Sequence, residues 1–190
     1  MTLSWLPNFI SIARIALVGP ILIYIQTEQY GLALALFLVA GVSDGIDGYL
    51  AKTFDWQTRL GVILDPFADK VLVGVTFFAI FINGLAPLWF AVLVIFRDIV
   101  IMTSAITYNF CVSKLQGEPT RISKLNTALQ IIFIICILSE AGIGWPGQFF
   151  ITLIGAGMTV TLIVSSVDYL TSWMRGAREK RLRLRAAEAK

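Results

Sequence analysis

Residues 43–70 contain five aspartates, and four of them lie beside or inside long apolar runs: Asp44, Asp47, Asp65 and Asp69. Asp44 and Asp47 are three residues apart and Asp65 and Asp69 are four apart, so each pair shares a face if its segment is helical. Carboxylates are hard oxygen ligands, which Mg²⁺, Mn²⁺ and Ca²⁺ prefer. The spacing therefore indicates two carboxylate pairs suited to divalent cations. A short turn joins the two segments, so the pairs can meet on neighbouring antiparallel helices.

Charge of this density needs compensation. An aspartate at the centre of a membrane span costs roughly 2.5–3.5 kcal/mol, and two carboxylates 4 Å apart repel by about 4 kcal/mol at an effective dielectric of 20. Either some carboxyls are protonated or cations neutralise them, and only Lys52 and Lys70 lie nearby in sequence. A pair of divalent metals about 3.5–4 Å apart is an arrangement used for in-line phosphoryl displacement. Helix caps and interfacial charges are the alternative. It is disfavoured because the four aspartates recur at spacings of three and four on adjoining helix ends, with glycines at 45, 48 and 61 among them. These glycines permit close approach of a helix or a ligand.

Composition places the chain in a membrane. Of its 190 residues 57% are hydrophobic and 14% charged, against about 25% charged in an ordinary soluble domain. Histidine is absent, which excludes imidazole general bases, His-ligated zinc and Ser-His-Asp catalysis. Cys111 and Cys136 lie in apolar runs and are interpreted as buried hydrophobic residues.

Apolar length and turn residues predict an all-α membrane protein with six transmembrane helices. The predicted spans cover residues 7–26, 32–52, 61–83, 86–111, 121–140 and 147–170. The N-terminal segment lacks a basic region before its apolar part and carries Arg14 inside it, so we expect a retained first span rather than a cleaved signal.

The distribution of Lys and Arg predicts the orientation. The breaks near residues 28, 84 and 143 contain none, whereas those near 55 and 117 and the C-terminal segment are basic. By the positive-inside rule, both termini, these two loops and the aspartates face the cytoplasm, or the matrix in a mitochondrion. We predict a membrane domain over 1–172 and a basic tail over 173–190, which either anchors at the anionic leaflet or recruits substrate.

The aspartates belong to a longer motif. It reads Asp44-x-x-Asp47-Gly48-x-x-Ala51-Lys52, then eight residues, then Gly61-x-x-x-Asp65-x-x-x-Asp69. This sequence resembles the signature of the CDP-alcohol phosphatidyltransferases. Lys52 departs from it, because the family usually has arginine there; lysine keeps the charge but loses the bidentate fork.

The resemblance implies a six-helix membrane enzyme, usually a homodimer, that binds CDP-diacylglycerol and an alcohol and has no nucleic-acid partner. Two divalent cations, Mg²⁺ or Mn²⁺, would be held by the four aspartates. The CDP group would lie near Asp44, Gly48, Ala51, Lys52 and Gly61. Asp69 would take the proton of the acceptor hydroxyl, which attacks the lipid-linked phosphorus while CMP leaves.

Further polar residues in the spans are candidates for binding the acceptor and its phosphate: Arg14, Arg97, Arg121, Lys124, Asn126 and Thr127. Arg14 could instead form a structural ion pair or extend to the interface. Arg97 could pair with Asp98 within the bundle, and Arg121 and Lys124 could be positive-inside anchors.

The fifth span bears on the acceptor. Phosphatidylglycerolphosphate synthases typically carry Lys-x-Lys-Thr there, whereas this chain has Lys124-Leu125-Asn126-Thr127, which is closer to CDP-diacylglycerol-dependent cardiolipin synthases. A monoanionic phosphodiester needs less positive charge than glycerol phosphate, so phosphatidylglycerol is the favoured acceptor and glycerol 3-phosphate the alternative. The membrane would be the bacterial or mitochondrial inner membrane. Intramembrane carboxylates also mark cation-coupled transporters, a competing class.

Overall fold

The computed structural model describes residues 5–54, 56, 61–97, 99 and 121–165. Within these residues the chain forms six helices. They are α1 (Leu6–Gln26), α2 (Tyr30–Thr53), α3 (Gly61–Ile82), α4 (Leu88–Arg97), α5 (Arg121–Ile143) and α6 (Gln148–Ser165). The all-α prediction is confirmed, and the described helix ends lie within a few residues of the predicted ones. The second half of the predicted fourth span, the last residues of the sixth and the basic tail lie outside the described residues.

Four of the helices are long and apolar enough to cross a membrane: α1, α2, α5 and α6. Helix α3 is also long enough, with 22 residues. It differs from these four helices in charge, because any 18 consecutive residues of it include Asp65, Asp69 and Lys70. Helix α4 is described over ten residues only. The apolar helices make the chain a membrane protein, while the count of six spans and their orientation stay predictions.

Helix α1 lies between the two acidic helices. It packs along both α2 and α3, and α5 contacts α2 and α3 on another side. Direct packing between the described residues of α2 and α3 is slight. Because only a short turn connects these two helices, we expected that they could meet as neighbouring antiparallel helices. Instead, a residue of α1 joins their acidic faces.

Three aromatic rings pack α3, α4 and α5 together in the core. Phe77 of α3 stacks on Phe133 of α5 with ring centroids 5.8 Å apart, and Phe90 of α4 meets Phe133 edge-on at 4.9 Å. All three rings are buried. Offset and edge-to-face ring contacts stabilise a fold beyond the effect of the apolar area they bury. This cluster therefore fixes α3, α4 and α5 relative to one another.

Helices α2 and α5 approach closely at Gly142. A Cβ added there would lie 2.9 Å from the backbone nitrogen of Gly31, which is shorter than real contacts allow. Glycine at this position is therefore required by the packing of two backbones. This contact fixes the end of α5 that carries Gly142 against the start of α2.

Candidate active site

Arg14 lies at the centre of the acidic cluster. Its side chain is completely buried, three residues after Ser11 on the same face of α1. Nη1 lies 2.6 Å from Asp44 Oδ1 and 2.5 Å from Asp69 Oδ1. Nη2 donates to Asp47 Oδ2 at 2.9 Å. One guanidinium thus brings together the carboxylates of α2 and α3.

The fourth aspartate is held by the other polar residue of that face. Ser11 Oγ donates to Asp65 Oδ1 at 2.6 Å, and Ser11 is fully buried. Helix α1 therefore contacts all four aspartates through two side chains one turn apart. The two acidic pairs do lie together, as predicted, and they are joined by side chains of α1.

The aspartates differ in exposure. The Asp47 side chain is 3% exposed and lies at the back of the cluster, whereas those of Asp44 and Asp69 are 41% and 46% exposed. Burying an ion pair costs desolvation of both partners, and only good geometry and further hydrogen bonds offset it. Of the three carboxylates around Arg14, Asp44 and Asp69 are consequently the ones open to a substrate or a cation.

The donor set suits a divalent cation by its chemistry. Three carboxylates around one guanidinium leave two formal negative charges, before Asp65 is counted. Hard oxygen donors of this kind bind Mg²⁺, Mn²⁺ or Ca²⁺. In the described part of the chain no three acidic side chains are grouped so as to hold a metal ion; three of the four carboxylates instead contact Arg14.

A cavity opens beside the exposed aspartates, between α2, α3 and α5. Its volume is about 110 Å³. Asp44, Asp69 and Lys70 border it on one side, and Thr127 and Gln130 of α5 border it on the other. The remaining wall is apolar. The cavity is thus positioned for a group whose reacting atom lies against Asp69.

The other predicted acceptor residues lie at different places. Thr127 borders the cavity. Lys124 is exposed. Asn126 is buried, and its Oδ1 accepts a hydrogen bond from Thr161 Oγ1 of α6 at 3.0 Å. Arg97 Nη2 donates to Ser165 Oγ at 2.9 Å. These last two therefore connect α5 and α4 to α6.

Arg14 was predicted either to form a structural ion pair, to extend to the interface or to contact a substrate phosphate. The structure shows the ion pair, and the phosphate contact stays a prediction. Asp98 and the side chain of Arg121 lie outside the described residues, so their predicted roles also stay predictions.

The predicted CDP-binding residues are only partly described. Gly48 lies one residue after Asp47, and a Cβ added at Gly45 or at Gly48 would meet no described atom within 4 Å. Among the described residues no helix packs against these two glycines, and their role in approach of a ligand stays a prediction. Gly61 is buried at the first turn of α3. The side chains of Ala51 and Lys52 lie outside the described part of α2.

Sequence reasoning missed two residues of the site. Ser11 belongs to the segment that begins α1, and its spacing of three from Arg14 was the available signal. Gln130 is an amide directly before the apolar run of α5 that begins with Ile131 and Ile132. An amide at that depth is costly to bury, and this cost was the signal for it.

The sequence also matches known proteins. Residues 4–167 match the CDP-alcohol phosphatidyltransferase family. The chain belongs to that family. Its members are generally dependent on divalent cations, which agrees with the oxygen donors found here.

Curated relatives fall under two names. The chain is 28% identical to a human "Cardiolipin synthase (CMP-forming)" over 86% of this chain and 60% of the human protein. It is 32% identical to a cardiolipin synthase (CMP-forming)/mitochondrial hydrolase fusion protein of Schizosaccharomyces pombe, over 88% of this chain and 31% of the fusion.

A relative of the second kind has a similar length. The chain is 32% identical to a CDP-diacylglycerol–glycerol-3-phosphate 3-phosphatidyltransferase of Aquifex aeolicus, over 88% of this chain and 91% of that protein. This chain thus spans less than two thirds of the cardiolipin synthases compared above and most of the bacterial phosphatidyltransferase. Both groups of relatives are similar in sequence to nearly the whole chain.

Proposed function

We propose that this protein transfers a phosphatidyl group from CDP-diacylglycerol to an alcohol, with release of CMP. The observation that carries the proposal is the convergence of Asp44, Asp47 and Asp69 on Arg14 at the mouth of a cavity. Family membership supports the reaction type. The cation-coupled transporter considered above gains no support, because the charges gather at one end of the bundle rather than along a path through it.

Asp69 acts as the general base. It borders the cavity and is half exposed, so it reaches a hydroxyl bound there, and one of its oxygens is oriented by Arg14. The acceptor hydroxyl gives its proton to Asp69 while its oxygen bonds to the lipid-linked phosphorus. The bond from that phosphorus to the bridging oxygen breaks, and CMP leaves with the electron pair.

The metal would be held by Asp44, Asp47, Asp65 and Asp69. When bound, divalent cations polarise the pyrophosphate and neutralise charge on the departing phosphate. Arg14 and Ser11 orient the four carboxylates from the side of α1, and the open space beside Gly45 and Gly48 takes the nucleotide. We propose Mg²⁺ or Mn²⁺ as the cation.

The favoured acceptor is phosphatidylglycerol, which yields cardiolipin. The single lysine at position 124, where phosphatidylglycerolphosphate synthases have Lys-x-Lys-Thr, supports it, as do the names of the human and Schizosaccharomyces pombe relatives. Glycerol 3-phosphate is the second candidate, because the Aquifex aeolicus relative is named for that acceptor. We further propose a homodimer with its active sites on the cytoplasmic or matrix side, as the family resemblance and the positive-inside rule imply.

Acceptor choice tests the proposal. Purified protein in liposomes receives CDP-diacylglycerol and Mg²⁺ or Mn²⁺, with either phosphatidylglycerol or glycerol 3-phosphate, and the lipid products are identified by mass spectrometry. Cardiolipin from the first mixture supports the favoured acceptor. Phosphatidylglycerolphosphate from the second mixture alone keeps the reaction and overturns the argument from α5.

A further inference from the structure

Gln130 is a buried amide whose partner is not supplied by the described residues. It is 0% exposed. Neither Oε1 nor Nε2 has a hydrogen-bond partner within the part of the chain that the structure describes. Leaving both ends of an amide unsatisfied in an apolar helix bundle is costly. A polar group from outside these residues is therefore expected at this position.

The position of Gln130 indicates where that group comes from. Gln130 borders the cavity that also contains Asp44 and Asp69. Thr127 borders it one helical turn earlier on the same face of α5. Since Asp69 is the proposed base, a substrate hydroxyl that reacts at Asp69 brings its neighbouring atoms into reach of this wall. One buried water needs only on the order of 10–15 Å³, so a cavity of about 110 Å³ takes a group of several heavy atoms.

The chemistry of the amide selects the kind of ligand. A carboxamide offers one acceptor oxygen and two donor hydrogens and carries no charge. A phosphate oxygen would use only its donors, and an ammonium group only its acceptor. An alcohol hydroxyl donates and accepts at once, so it satisfies both ends of the amide. Apolar residues such as Leu72 and Ile131 also line the cavity, which favours an uncharged group beside the amide.

We propose that Gln130 binds the hydroxyl at C2 of the acceptor's glycerol group, which does not react, and thereby selects acceptors with adjacent hydroxyls. This inference rests on the proposed function. Phosphatidylglycerol and glycerol 3-phosphate both present a primary hydroxyl for Asp69 with the C2 hydroxyl on the next carbon. Gln130 is thus a specificity-determining residue for either source of the glycerol group.

The test removes the hydroxyl and the amide separately and together. Wild-type protein and Gln130→Leu are each given phosphatidylglycerol and its analogue with a 1,3-propanediol head group, which lacks the C2 hydroxyl. A second arm uses glycerol 3-phosphate and 3-hydroxypropyl phosphate. Release of CMP gives kcat/KM for each acceptor, and KM for CDP-diacylglycerol is measured in every case. Ser139→Ala, which removes a buried hydroxyl from the far part of the same helix, is the control for changes to α5.

The wild type is expected to lose about 10–100-fold in kcat/KM with the analogue, since a missing hydroxyl leaves the amide unpaired. Gln130→Leu is expected to lose a similar factor with the natural acceptor, and to treat the two acceptors alike within about twofold. KM for CDP-diacylglycerol stays unchanged, and Ser139→Ala behaves as the wild type. The arm that shows this pattern identifies the source of the glycerol group.

Two results overturn the inference. In one, the wild type uses natural acceptor and analogue equally well, which requires no variant and so holds even if Gln130→Leu does not fold. In the other, kcat/KM of Gln130→Leu with the analogue is lower than with the natural acceptor by the same factor as in the wild type. The amide and the hydroxyl would then act independently. Absence of CMP release by the wild type with either natural acceptor is a different result, because it overturns the proposed function itself.

Discussion

Arg14 Nη1 and Asp69 Oδ1 lie 2.5 Å apart, although 55 residues separate them in sequence. The contact orients the proposed base and joins α1 to α3. Through the same side chain α1 also holds Asp44 and Asp47 of α2. The geometry of the site thus depends on a helix that lies outside the acidic motif.

Asp69→Asn is expected to lower kcat by about 10²–10⁴-fold, the usual contribution of a general base, while CDP-diacylglycerol binding stays measurable. The amide keeps the shape of the carboxyl but cannot take the hydroxyl proton. Turnover is measured as CMP release, and binding by displacement of a labelled nucleotide lipid. Glu140→Gln is the matched control for removal of a carboxylate. Glu140 lies near the C-terminal end of α5, away from the cavity, where its Oε2 accepts a hydrogen bond from Gly147 N. Full turnover by Asp69→Asn would contradict the assignment of Asp69 as the general base.

Arg14→Gln is expected to destabilise the protein by about 3–5 kcal/mol, the usual cost of removing one partner from a buried ion pair. Three carboxylates lose their shared cation in this variant. Denaturant unfolding in detergent measures the change, with Arg14→Lys as the variant that keeps the charge and loses the fork. A double variant with Asp47→Asn should recover part of the loss, since it removes one of the uncompensated charges. Arg14→Gln as stable as the wild type would show that the ion pairs contribute little.

Ser11→Ala is expected to weaken Mn²⁺ binding by roughly tenfold, at the low end of the effect of groups that orient metal ligands. The variant frees Asp65 from the 2.6 Å hydrogen bond that orients it. Electron paramagnetic resonance titration of Mn²⁺ into purified protein measures affinity without reference to turnover. Ser139→Ala, a buried hydroxyl on α5, serves as the control. Equal affinity in Ser11→Ala and wild type would contradict a role for Ser11 in positioning Asp65.

Gly142→Ala is expected to cost about 1–3 kcal/mol of stability, the usual range for overpacking. The added methyl group would lie 2.9 Å from the backbone of Gly31, which cannot turn aside as a side chain can. Gly74→Ala on α3 is the matched control, since a Cβ there meets no described atom within 4 Å and alanine favours the helix. Thermal unfolding in detergent compares the two. The packing argument fails if Gly142→Ala is as stable as Gly74→Ala.

The sequence predicted much of this arrangement because its strongest signals are local. Apolar length set the helices, and the i, i+3 and i, i+4 spacing of the aspartates set their shared faces. The partners of Arg14 could not be assigned in this way, since they lie 30 to 55 residues away in sequence and Arg14 has apolar neighbours. The same reason explains the expectation that α2 and α3 pack directly, because chain proximity says nothing of a third helix between them.

Gln130 shows a different limit. Its importance comes from burial and from the cavity beside it, and neither is visible in a single polar letter within an apolar helix. Asn126, four residues earlier, carries the same kind of side chain but contacts Thr161 of α6. Only the three-dimensional arrangement separates a residue that ties helices together from one that borders the cavity.

The most direct test of the central claim measures products and metal dependence together. Wild-type protein in liposomes receives CDP-diacylglycerol and phosphatidylglycerol, with glycerol 3-phosphate as the acceptor in a parallel sample. CMP and lipid product are measured with Mg²⁺ or Mn²⁺, after chelation, and after the cation is restored. The account predicts CMP and cardiolipin in equal amounts, loss of both on chelation and recovery with the cation. Absence of CMP release with either cation, with phosphatidylglycerol and with glycerol 3-phosphate alike, would contradict it.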